Sequence, residues 1–290
     1  MRDVKINKKR KKLTVGQIFS HIIIICLLIM VLFPFYILVI NSFKAPADIL
    51  KDPLSFPGAG DAEALKGAFK AAWPYISKYI LNTFWVALLE VFGVLLFSSL
   101  AAYGFSRFKF KGKDTLFMVF LAFMMIPSIL TLATQYSLVY STLNLKQTYA
   151  GVVLPAIAGG MPVNIFLIKT FLDGIPSDIY EAAEMDGASK LSCYFRIAIP
   201  LSTPILFTVG LSTLLGAWND VIWARLILYG AEDMYTIGVG VFTVFGSSAA
   251  KIPDTVIYAG YCLASLPLLI AFFFTSKQFI KGLTDGAVKM

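Results

Sequence analysis

The chain has 290 residues, 58% of them hydrophobic and only 14% charged, with a mean hydropathy of +0.77 and a formal net charge of +8. So much apolar surface excludes a water-soluble globule and predicts an integral membrane protein, all-α, with six transmembrane helices in a single domain over residues 1–290. No soluble stretch interleaves basic and aromatic residues, so nucleic acid is excluded as a partner and the positive charge is assigned to membrane topology and anionic membrane lipid.

Residues 1–14 are basic, with Arg2, Lys5, Lys8, Lys9, Arg10, Lys11 and Lys12. The first apolar run, His21 to Ile40, follows them as a signal peptide would, but it is long and lacks a small-residue cleavage site, so it is read as a retained helix. Segment 43–78 is expected outside the membrane as a loop, punctuated by Pro46, Pro53, Pro57 and Pro74, with a turn at Gly58-Ala59-Gly60 and a short helix over Asp61 to Phe69. It is either a plain solvated loop or a face for an external partner.

Spans two to four are Tyr79 to Phe105, Thr115 to Tyr140 and Tyr149 to Ile168, and spans five and six are Leu201 to Leu228 and Thr255 to Phe274. These runs are continuous rather than alternating, which argues for helices over a barrel. Pro127 is expected to interrupt the third span, and Gly159, Gly160 and Pro162 the fourth. Such breaks are tolerated where protein or a water-filled cavity satisfies the freed backbone. Counted over alternate loops, 17 of the 25 Lys and Arg fall on the side of the N-terminus. Both termini, the 171–200 insert and the 275–290 tail are therefore expected in the cytoplasm.

The insert is a polar, helix-forming island between apolar spans. Pro176 suits a first helical position, and Ser177, Asp178, Glu181 and Glu184 place polar or acidic groups where the helix dipole favours them. Ile179, Ala182 and Ala183 share one small, smooth stripe. Gly187 can adopt the left-handed conformation that stops the helix, and Ser189 can cap a second one with Leu191, Tyr194, Phe195 and Ala198 on its apolar face, ended by Pro200. Two short helices at an angle, with small residues at the bend, fit a groove on a partner; a solvated connecting loop is the other reading.

No catalytic or metal constellation emerges. Cys26, Cys193 and Cys262 lie in separate segments and read as small core residues, and His21 has no ligand at helical spacing. Gly112-Lys113 lacks the earlier glycine of a phosphate loop, since Arg107 stands there, and Asp114 replaces the Ser or Thr that would hold magnesium. Glu90, Asp220 and Asp254 are acids in or at the edge of spans, too far apart in sequence to assert a proton relay. Gln135, Asn164, Trp218, Asn219 and Asp220 are candidates for a solute pathway, because they are polar or amphipathic groups at plausible depth in the spans. Interhelical hydrogen bonding would explain the same residues.

Glu181-Ala182-Ala183, Asp186-Gly187-Ala188 and Ile197 with Pro200 resemble the coupling-loop signature of permease subunits of ABC importers, with Ile199 where Leu is usual. The C-terminal run Lys277 to Lys289 is similar to the tail of the second permease of the carbohydrate, maltose-type branch, and Trp218-Asn219-Asp220 resembles its W-N-acidic element. This resemblance implies the ABC type I importer permease fold and an assembly with a sister permease, two ABC ATPase subunits and an extracellular or periplasmic sugar-binding protein. It implies that Glu181, Ala182, Ala183, Asp186, Gly187, Ile197 and Pro200 couple to the ATPase, and that the tail reaches the ATPase pair through Gly282, Thr284, Gly286, Ala287 and Lys289. This chain would hold no cofactor, because ATP and Mg would be bound by the partner ATPases. The membrane would be the prokaryotic plasma (inner) membrane. The competing classes are an ion-coupled secondary transporter of a small polar solute, which would show an inverted repeat and paired intramembrane charges, and a membrane enzyme, which would show a clustered acid and base, nucleophile or metal site.

Overall fold

The computed structural model describes residues 14–58, 62–247 and 252–287, the side chains of 62–66 and 277–287 excepted. Among the described residues every regular element is helical. Four helices are long and apolar enough to cross a membrane, and two bent pairs bring the total to six if each pair is one span.

Helix α1 (Val15–Asn41) opens on a capping box in which Thr14 and Gln17 satisfy each other's backbone N–H. Its most apolar window buries nothing within the chain. A helix that is apolar and exposed at once is suited to lipid, where its internally bonded backbone has no unmet need. Cys26 lies on this exposed helix, so it is not the core residue its small size suggested.

Segment 43–78 departs most from expectation. After the short α2 (Pro46–Lys51), α3 (Ala62–Arg107) begins at Ala62 and runs without a break through Pro74 into the second span, 46 residues in all. The short helix expected over Asp61 to Phe69 is the start of this one, and the stretch beyond it, expected as loop, is helix as well. Ala68 and Ala72 there are buried against Val256 and Ala259 of α13 (Asp254–Ala287), so tertiary packing overrides the breaking tendency of Pro74.

The centre of the protein is α3 packed on α6 (Tyr149–Asp173), with α10 (Thr203–Asn219) and α13 laid against α3. In lipid this association depends on close packing rather than on a hydrophobic gain. Gly93 shows how close: a Cβ there would stand 2.3 Å from Cδ1 of Ile157 on α6. Despite Gly159, Gly160 and Pro162, α6 is uninterrupted, which corrects the expected break in the fourth span. The Asn164 amide donates to Gly160 O at 2.9 Å, one turn back in the same helix.

The third span does break. Helices α4 (Lys113–Met124) and α5 (Ser128–Ser137) meet at 96° across Pro127, which lacks an N–H and pushes the residue before it out of helical geometry. The fifth span is also divided, because α10 ends at Asn219 and Asp220 turns the chain into α11 (Ile222–Leu228). A short α12 (Ile237–Val241) and a wide helical turn (Phe242–Ser247) precede α13.

Candidate functional site

Two regions hold the residues singled out from the sequence. The first is the insert, which forms α7 (Ser177–Met185) and α8 (Lys190–Cys193), continued by a wide turn (Tyr194–Ala198) and by α9 (Ile199–Leu201).

Pro176 stands one place before the first helical residue, at φ −54 and ψ 137. At the far end of α7, Gly187 has φ +85, where a side chain would be strained. Its N–H donates to Glu184 O at 3.0 Å and that of Ala188 to Ala183 O at 2.9 Å. This pair of bonds satisfies carbonyls that a helix end would otherwise leave bare. Ser189 then caps α8, its Oγ accepting from Ser192 N at 3.2 Å. Lys190 pairs with Glu184 across the bend.

The expected apolar face of the second helix is rotated. Tyr194 and Ala198 are buried, but Leu191 and Phe195 are exposed and Cys193 takes their place inside. Cys193, Tyr194 and Ala198, with half-buried Ile197, fall at helical spacing on a face turned away from Leu191 and Phe195, and the wide turn follows, its Ile199 N–H reaching back five residues to Tyr194 O. Pro200 therefore does not end the helix: it sits within α9, and the chain bends by 77° after Leu201 instead. The wide turn lies where the proline ring would meet the carbonyl four residues back, so the ring is accommodated without a break.

Sequence reasoning missed what pins this hairpin. Arg107, the last residue of α3, donates through Nη2 to Leu172 O at 2.6 Å and Ile175 O at 2.8 Å, and its guanidinium lies 4.0 Å from the ring centre of Tyr180 on α7. Tyr103, one turn earlier, donates from its hydroxyl to Lys190 O at 3.0 Å and packs on Tyr194 with ring centres 5.4 Å apart. The Tyr194 hydroxyl in turn meets Ser99 Oγ at 2.7 Å. A basic residue ending a helix beside carbonyls was a readable signal, but counting it only as a topology marker hid its second use. The opposite side is small and open: Glu181, Ala182, Asp186 and Gly187 are exposed and Ala183 half-buried, while Ile197 packs partly into the core and Pro200 is exposed.

The second region is a cleft of about 660 Å³ among α3, α5, α6, α10 and α11. Gln135, Asn164 and Asp220 line it together. Trp218 and Asn219 do not: the Trp218 indole is buried and donates to Ala264 O of α13 at 3.2 Å, and the Asn219 amide donates to Leu215 O at 2.8 Å. Asp220 is fixed at the start of α11, its two carboxylate oxygens accepting from Trp223 N at 3.1 Å and Ala224 N at 3.2 Å. Glu90, noticed in sequence as an isolated acid in an apolar span, lines the same cleft. The backbone of α13 continues through Gly282, Thr284 and Gly286 to Ala287. The side chains of those tail residues, and Lys289 altogether, lie outside the described residues.

Residues 94–284 match the family described as "Binding-protein-dependent transport system inner membrane component". The chain is 32% identical to the "Probable ABC transporter permease protein YurM" of Bacillus subtilis (strain 168), over 98% of this chain and 92% of that protein. It is 31% identical to the arabinooligosaccharides transport system permease AraQ of the same strain, with 89% and 90% covered. For the galactooligosaccharides permease GanQ of that strain the identity is 31%, with 94% and 95% covered. In fold it is similar to a chain of a bacterial ABC transporter involved in import of the acidic polysaccharide alginate, at a TM-score of 0.76 and 21% identity, over 92% of this chain and 99% of that one. This chain belongs to the family of binding-protein-dependent transport system inner membrane components, and it is a multi-pass membrane transport subunit rather than an enzyme.

Proposed function

We propose that this subunit is one of two permeases in an ATP-driven importer, and that it passes a carbohydrate, an oligosaccharide, from an external binding protein to the cell interior. Two ABC ATPases, holding ATP and magnesium, would drive it from the cytoplasmic side, and the excess of Lys and Arg on the side of both termini and the hairpin supports that orientation. The cargoes named for AraQ and GanQ support the carbohydrate class.

The observation that carries this reading is the two-sided construction of the hairpin. Its inner side is bound to α3 by the Arg107 stack on Tyr180 and by the hydrogen bonds of Tyr103 and Tyr194, and its outer side presents Glu181, Ala182, Asp186 and Gly187. A rigid projection with a smooth face can sit in a cleft of an ATPase and hand its movement to the spans as rigid-body rotation. The solute would then move through the Gln135, Asn164 and Asp220 cleft as its access alternates, and the tail from Gly282 to Lys289 would add contacts to the ATPase pair. No covalent step is required of this chain, which contributes different contacts in two conformations.

Ala182→Trp tests the docking face, because it adds bulk on an exposed helical site without backbone strain. In proteoliposomes containing the whole transporter it should lower binding-protein-stimulated ATP hydrolysis and uptake together, by about tenfold for each ~1.4 kcal/mol of docking lost. A cysteine at the same site should cross-link to the ATPase. Full uptake by the Trp variant, or uptake driven by an ion gradient without ATP, would overturn the assignment.

A further inference from the structure

The cleft shared by Glu90, Gln135, Asn164 and Asp220 holds two carboxyl groups and, among the described lining residues, no base. Glu90 is only 5% exposed, and its carboxyl has neither a hydrogen-bond nor an oppositely charged partner among the described residues. An unpartnered carboxyl in a membrane interior is costly, and such groups mark a solute path more often than a packing solution. Asp220 differs in being held: each oxygen takes one backbone N–H of α11, which leaves each a further lone pair to offer. Ser212 and Thr213 add hydroxyls, Trp223 adds an aromatic surface, and no Lys or Arg is among the described lining residues.

We propose, on the basis of the importer reading above, that the Asp220 carboxylate, with the Glu90 carboxyl beside it, makes this cleft selective by charge: it accepts neutral polyhydroxylated solutes and turns away anionic ones. Sugar hydroxyls would donate to the carboxyl oxygens, whereas a carboxylate or phosphate would meet the Asp220 carboxylate and no cation. The cation that elsewhere recognises such an anion, a forked guanidinium above all, is missing from the described lining. Likeness to an alginate importer at 21% identity is thus likeness of fold, and it does not extend to the sign of the cargo.

The charge of the cleft can be read without knowing the solute. In membranes containing the whole transporter, Thr213→Cys places a thiol in the cleft, and its modification by cationic trimethylammonioethyl and anionic sulfonatoethyl methanethiosulfonate can be timed. Identifying the modified peptide by mass spectrometry separates it from Cys26, Cys193 and Cys262. The cation-to-anion rate ratio, divided by that of a free thiol in solution, should exceed one, by about tenfold for a field focused in a low-dielectric cleft. It should fall toward one when Glu90→Gln and Asp220→Asn are added.

A ratio at or below one, a ratio above one that the two acid substitutions leave unchanged, or a thiol that neither reagent reaches would overturn the proposal. As a second measurement, ATP-driven uptake of galactotriose should greatly exceed that of trigalacturonate, and equal uptake of the two would also overturn it. Failure to take up any neutral oligosaccharide would instead strike the importer reading, with the thiol ratio still deciding the charge of the cleft.

Discussion

The hairpin and the cleft are built on opposite plans. The hairpin is 25 residues of contiguous chain, from Pro176 to Pro200, whose contacts with Tyr103, Ser99 and Arg107 converge on one end of α3. The cleft draws its polar groups from α3, α5, α6 and the α10–α11 junction, spread between residues 90 and 220 of the chain, and leaves the Glu90 and Gln135 side chains without a partner among the described residues. A part that transmits movement gains from being over-determined, since slack would absorb the stroke. A part that must bind and then release a solute gains from unmet polar groups and from helices broken at Pro127 and Asp220, where neighbouring segments can shift.

If that contrast holds, the most damaging change is one that loosens the hairpin. Arg107→Ala removes two charged hydrogen bonds to Leu172 O and Ile175 O together with the stack on Tyr180, a loss of about 3 kcal/mol. Thermal melting of the assembled transporter should fall, and ATP hydrolysis should continue with uptake uncoupled from it. Arg107→Lys should recover only part of both, because an ammonium cannot reproduce the planar fork that bonds two carbonyls while stacking on a ring. Normal coupling in the alanine variant would mean that the hairpin is held by something other than the end of α3.

Next in size is the bend. Gly187 sits at φ +85 with open space around its Cα, so any defect there is one of backbone conformation and not of crowding. Gly187→Val should cost roughly 1–2 kcal/mol or slightly more, given β-branching, and Gly187→Asn distinctly less. Uptake at limiting ATP should follow the same order. Equal loss in the two variants would point to a steric clash with a partner and not to strain. Below this comes Ser189→Ala, which removes the cap of α8 and should cost about 1 kcal/mol, visible as melting but scarcely as uptake because Tyr103 and Tyr194 still hold the second helix.

How much of this was written in the chain follows the same division. The hairpin's helices, its stop at Gly187 and its cap at Ser189 are decided by residues within a few positions of one another, and local rules read them correctly. The face that the second helix buries was not readable, because it depends on packing Cys193 and Tyr194 into the core, and so the outward turn of Leu191 and Phe195 escaped. Segment 43–78 misled for the same reason: its prolines are real breakers, yet Ala68 and Ala72 gain enough by packing on α13 to carry a helix through Pro74. In the cleft, Gln135, Asn164 and Asp220 could be picked one by one, but neighbours in sequence diverge in space. Trp218 and Asn219 turn away while Glu90, 130 positions before Asp220, lines the same wall.

The smallest effect on stability should come from the cleft itself, and it is the one that separates binding from scaffolding. Asn164 makes one hydrogen bond, to Gly160 of its own helix, so Asn164→Ala should leave melting within about 0.5 kcal/mol of the parent, the range of substitutions outside a packed core. If its amide also meets a solute hydroxyl, the same change should raise KM about fivefold, the worth of one hydrogen bond near 1 kcal/mol, with kcat little altered. The opposite pattern, a clear fall in melting with KM unmoved, would make Asn164 a brace beside Pro162. The solute path would then have to run along the remaining polar groups, Glu90, Gln135 and Asp220, without it.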